Sequence, residues 1–136
     1  MHKILLLSDL HLRGPNQKII GINPMERLKS ALDHALACHP DADRLILLGD
    51  LTHSSKVLEF ERLKSLTDQC PIPVTFTLGN HDNRDHFRNV FANVEPDENG
   101  HIQSVIDIGD YRMVVLDTLD GPPFLNYHHS GKYCAA

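Results

Sequence analysis

An α/β chain with parallel strands is predicted by three observations. Short apolar runs recur at residues 4–7, 45–48 and 74–78, segments with helix signals lie between them, and turn residues mark each junction. Strand, helix, strand, helix, strand implies a βαβαβ unit, its strands joined by right-handed helical crossovers. The first run, Ile4-Leu5-Leu6-Leu7, reads as a short buried strand. Asn23-Pro24-Met25-Glu26 then starts a helix: Asn as cap, Pro at the first helical position, Glu three residues after the cap. Met25, Leu28, Leu32 and Leu36 share one face as a core stripe, and His39-Pro40 ends the helix. After the 45–48 strand, a second helix with a charged surface spans residues 57–67, until Pro71-Ile72-Pro73 breaks it before the third strand. A shorter helix is expected over 84–91 and a polar loop over 95–101. A hairpin of 102–108 and 111–116 follows, turning on Gly109-Asp110.

Composition narrows the function. The 136 residues suit one domain, 1–136, with a real core: 41% are hydrophobic and 23% charged, without repeats or low-complexity tracts. A net charge of −5 with no Lys/Arg block argues against a nucleic acid polymer as partner. Nothing approaches transmembrane length, so no membrane partner is expected. Met1-His2-Lys3 leads into only four apolar residues, too few for a signal-peptide core. Cys38, Cys70 and Cys134 are an odd, unpatterned set that reads as thiols of a cytoplasmic protein. Histidine is the outlier, with ten residues.

The strand ends share a chemistry. Ser8-Asp9-Leu10-His11 follows the first run, Gly49-Asp50-Leu51-Thr52-His53 the second and Gly79-Asn80-His81-Asp82 the third. In a parallel sheet these turns are neighbours on the carboxyl edge, where open α/β sheets bind ligands. Carboxylates gathered there repel one another unless a cation joins them. Oxygen donors mixed with imidazole suit Mn, Fe, Co or Zn, and the absence of cysteine from these turns disfavours a structural zinc site. Asp50, on the middle turn, is the natural bridge between two ions.

These three motifs, with their spacing and the βαβαβ order, resemble the calcineurin-like metallophosphoesterase family. Residues 114–118 and His128-His129-Ser130-Gly131-Lys132 look like its class III cyclic nucleotide phosphodiesterase and glycerophosphodiesterase branch. The resemblance implies half of a four-layer α/β/β/α sandwich. It implies two divalent metal ions, with Asp9 and His11 on the first, Asp50 bridging and Asn80 on the second. His81 becomes the catalytic histidine near the phosphate, with Asp82 behind it fixing the imidazole's tautomer. Asn80 and His81 face the substrate, a small-molecule phosphodiester; Arg13 and Asn16, just past the first motif, read either as lining of a substrate pocket or as a surface loop. His53 is left out of the metal set, because the family does not usually use this position as a ligand.

The resemblance covers an N-terminal half. The family's further ligands, a histidine after a later strand and a Gly-His-x-His motif, have no counterpart here. A weakened second metal site, exposed apolar surface and a homo-oligomer that covers it are therefore expected. A fragment that binds metal weakly without catalysis is one alternative; a phosphomonoesterase or nuclease of the same superfamily is another. His128 and His129 are read as rim-loop residues, with a place in the metal set as the alternative, and His2, His34, His39, His86 and His101 as solvated.

Overall fold

Three parallel strands, β1 (Ile4–Ser8), β2 (Arg44–Leu48) and β3 (Val74–Thr77), form a sheet in the order β1-β2-β3. This is the first sheet of the computed structural model, which describes residues 2–119. Helices α1 (Pro24–Cys38) and α2 (Val57–Thr67) are the crossovers, and α3 (Arg84–Val90) follows β3. An antiparallel hairpin of β4 (Ser104–Ile108) and β5 (Tyr111–Val115) is the second sheet. The architecture is the expected βαβαβ unit plus hairpin. His128, His129 and Cys134 lie outside the described residues.

Local chemistry explains the elements. The Asn23 side chain accepts from the Met25 amide at 3.1 Å and donates to Glu26 at 2.9 Å, so the start of α1 is closed by side chains. Leu28 and Leu32 of its stripe are buried and Met25 packs against them. In α2, Glu59 reaches back to the backbone amides of Ser54 and Lys56. In β2 alternation divides the faces: Leu45 and Leu47 enter the main core with Phe60, Leu63, Phe76 and Phe87. The opposite face carries Leu6 and Leu48, both exposed, while the hairpin closes a smaller cluster of Ile106, Ile108 and Val115 against Ile4.

Each predicted element is present, with ends shifted by a residue or two. β3 stops at Thr77 and β5 at Val115, whereas Arg44 joins β2, where its guanidinium donates to Thr75 at 2.9 Å. Two of the histidines read as solvated are not. His86 is half-buried with Nδ1 donating to the Ser55 carbonyl at 2.6 Å, and His101 is half-buried beside Asp97.

Candidate metal centre

The β1–β2 pairing does not stop where the strands stop. The amides of Asp9, His11 and Leu12 donate to the carbonyls of Gly49, Asp50 and Leu51, and the His53 amide returns to Leu12. An isolated parallel bridge, Leu12 with Thr52, continues the ladder. The first two turns thus run side by side, and the backbone bends sharply to do so. Asp9, His11 and Asp50 hold φ of 55°, 45° and 46°. Few non-glycine residues adopt such values, and their cost of order 1–3 kcal/mol each must be offset by surrounding structure.

The third turn is pressed against the second by two glycines. A Cβ on Gly79 would meet Asp50 Oδ1 at 2.2 Å and the Asp50 amide nitrogen at 2.3 Å; one on Gly49 would meet the Gly79 backbone at 3.1 Å. Only glycine lets backbones approach so closely. The contact lets the His81 amide donate to Asp50 Oδ1 at 3.0 Å. A glycine and a carboxylate therefore end the β2 run because close approach and an acceptor are both needed there.

Three side chains meet at this edge: ligand atoms of Asp9, His11 and Asp50 all lie within 4.8 Å of one another. His11 Nε2 is 3.7 Å from Asp50 Oδ2 and 4.0 Å from Asp9 Oδ1. Two carboxylates and one imidazole converging on a point form a donor set that fits a divalent cation, which relieves the repulsion between the carboxylates. Asn80 lies half-buried on the third turn, between Gly79 and His81. Arg13 is half-buried after the first turn, with its buried Nε lacking a hydrogen-bond partner among the described residues.

The family resemblance implies Asp82 behind the His81 ring; among the described residues its hydrogen bonds go elsewhere. The ring is seated by a backbone group, its Nδ1 donating to the His53 carbonyl at 3.0 Å. Asp82, fully buried, accepts from the amides of Leu51, Thr52 and Gly79 and from the Thr52 hydroxyl, at 2.9–3.0 Å. It ties the third turn to the second. Burial pushes its carboxyl up to about 6, against the downward pull of those four donors.

His53 is the residue the sequence reading set aside. Its ring centroid lies 5.5 Å from that of His11 and 5.3 Å from that of His81, and the three imidazoles form a second group with nitrogens within 4.8 Å. Burial first, then the Arg13 charge, hold its pKa below the usual histidine range. The signal was available: His53 lies three residues after Asp50, on the same turn. Asp117, the other strand-end carboxylate, belongs elsewhere: it pairs with Arg84 at 2.7 Å.

A parallel sheet whose carboxyl edge gathers carboxylates and imidazoles presents a donor set that could hold a metal ion. Comparison with known proteins makes this specific: residues 2–134 match the calcineurin-like phosphoesterase family, and the chain belongs to it. It is similar to a probable cyclic nucleotide phosphodiesterase of Rhodopseudomonas palustris, at 33% identity over 98% of this chain and 48% of the relative. A 3',5'-cyclic adenosine monophosphate phosphodiesterase of Pseudomonas aeruginosa is 22% identical over 85% of this chain and 41% of its own length. A probable glycerophosphodiester phosphodiesterase of Arcobacter nitrofigilis is 24% identical over 85% and 43%. The chain thus spans about half the length of the curated relatives it matches. No helix among the described residues is long and apolar enough to cross a membrane.

Proposed function

We propose that the whole protein hydrolyses small-molecule phosphodiesters, cyclic nucleotides or glycerophosphodiesters, at a dinuclear metal centre. The observation that carries this reading is the convergence of Asp9, His11 and Asp50 within 4.8 Å at the edge of a phosphoesterase sheet. These three would hold one divalent ion, with Asp50 shared and Asn80 on a second; Mn, Fe, Zn or Co suits the mixed oxygen and imidazole donors. When bound, such ions supply neutralisation of phosphoryl charge and a nucleophile drawn from water near neutral pH.

The chain's own residues do the rest. The His53 carbonyl accepts only, so His81 Nδ1 carries the hydrogen at that contact. Protonated, Nε2 donates to a phosphoryl oxygen or to the departing alkoxide. The Asp50 carboxylate holds the His81 amide, and Asp82 holds the turn, so the imidazole stays aimed at the edge where Asp9 and His11 stand. The free thiols of Cys38 and Cys70 support a cytoplasmic setting.

Calorimetric titration with Mn2+ tests the centre, and hydrolysis of bis(p-nitrophenyl) phosphate tests the chemistry. Asp50→Asn is expected to abolish ion binding and turnover together. His81→Ala is expected to lower turnover about 100-fold or more while metal content holds. Equal loss of metal and turnover in His81→Ala assigns His81 to metal binding instead.

A further inference from the structure

A cleft of about 730 Å3 adjoins the metal-centre residues. Asp9, His11, His53 and His81 line one part of it, and aliphatic side chains, among them Leu7, Ile19, Ile20, Ile22 and Leu28, line the rest. Ile20 belongs to a tight turn: Ile19 and Ile22 exchange both backbone hydrogen bonds, at 2.8 and 2.9 Å. The two central residues, Ile20 and Gly21, have φ of 48° and 76°. Positive φ at both positions is the pattern of a type I′ turn, which favours Asn-Gly. Gly21 obeys that preference and Ile20 violates it, since a β-branched residue at positive φ is a strained outlier.

Burial does not offset the strain, because Ile20 is 95% exposed. Neither the turn nor the core gains from an isoleucine there; an asparagine would form the turn more readily. What the side chain does have is a place in the lining of the cleft beside Asp9 and His11. Strain of this kind, at a position bordering a reactive site, points to function.

We propose that the turn from Ile19 to Ile22 is an apolar clamp, with Ile20 as its contact residue. It selects phosphodiesters that carry a bulky, flat apolar group of the nucleobase type over those that carry a small polyol. The inference rests on the phosphodiesterase reading of the adjoining centre and adds to it a choice between substrates. Size supports it: the cleft falls within the volumes that enclose drug-sized ligands, far beyond the needs of a polyol. Chemistry supports it too, because aliphatic walls leave hydroxyl groups without partners. Arg27 also lines the cleft and carries a guanidinium of the kind that stacks on aromatic faces.

The test is calorimetric binding of adenosine 5′-monophosphate and of glycerol 3-phosphate to this chain with Mn2+ present, for the wild type and for Ile20→Asn. The substitution suits the turn, and a melting temperature at or above the wild-type value will show that the fold is kept. Ile20→Asn is expected to weaken the nucleotide about tenfold, the loss from one large apolar contact, and to leave glycerol 3-phosphate within about twofold. If both ligands bind the wild type and the substitution moves neither, or both equally, the clamp is wrong and the centre stands. If neither binds, the clamp falls, and hydrolysis of bis(p-nitrophenyl) phosphate by the whole protein decides separately whether the phosphodiester reading stands. A dimer that Ile20→Asn dissociates, with nucleotide affinity unchanged, assigns the turn to contact between copies and also overturns the clamp.

Discussion

Asp82 shows how one side chain can be indispensable to a site without touching what reacts there. Its two oxygens take four hydrogen bonds, three from backbone amides on two different turns. Asparagine keeps the shape but sets an amide donor against N–H groups that need an acceptor. Relief of a buried charge works the other way; it is outweighed, because each stranded buried donor costs about 1–3 kcal/mol. Asp82→Asn is therefore expected to lower stability by about 2–4 kcal/mol, read from urea denaturation, and to weaken Mn2+ binding through displacement of Asp50. Unchanged Mn2+ affinity in the folded variant sinks the idea that Asp82 braces the centre. The family resemblance put Asp82 behind His81; its actual donors were not legible, since three of the four lie on a turn about 30 residues away. The bends at Asp9, His11 and Asp50 were equally hidden, because aspartate and histidine do not announce positive φ as glycine does.

Strands and helices were legible wherever a local signal set them. Asn23 and Pro24 open α1, and Pro71 and Pro73 separate α2 from β3. The Leu12–Thr52 bridge and the Ile19–Ile22 turn were not, the first because it depends on a partner 40 residues away, the second because Ile-Gly breaks the usual turn preference. Asp117 follows an apolar strand as Asp50 does, yet that strand belongs to an antiparallel hairpin and the carboxylate meets Arg84 of α3. That pair joins α3 to the segment that follows the second sheet. Arg84 Nε and Nη2 donate to both carboxylate oxygens at 2.7 and 2.9 Å, and the amides of Ile102 and Leu119 complete the shell. The Asp117 side chain is fully buried, so loss of Arg84 strands a charge. Arg84→Met is expected to lower stability by about 3–5 kcal/mol, and Arg84→Met with Asp117→Asn to recover part of that loss. Urea denaturation of both variants measures the coupling, and additive effects would show that the pair does not join these elements.

At the largest scale, two apolar surfaces are exposed among the described residues. The sheet buries Leu45 and Leu47 on the face packed against the helices, but on the other face Leu6 is 57% exposed and Leu48 42%. Val105 and Val114, paired across the hairpin, are 59% and 60% exposed. Among the described residues the first sheet also has two edge strands, since β2 lies between β1 and β3. Apolar faces beside unpaired edges favour association, and a net charge of −5 opposes it only through charges that salt screens. Reversible self-association is therefore expected, stronger at high salt. Sedimentation velocity should show an average coefficient that rises with protein concentration. Leu6→Lys with Val114→Lys should flatten that rise, because each lysine sets a hydrated charge where apolar contact is needed. Both sites are already exposed, so the double variant should keep its melting temperature within a few degrees. A wild-type chain that sediments as one monomeric species across a hundredfold concentration range, at low and high salt alike, would mean that these faces do not pair with each other.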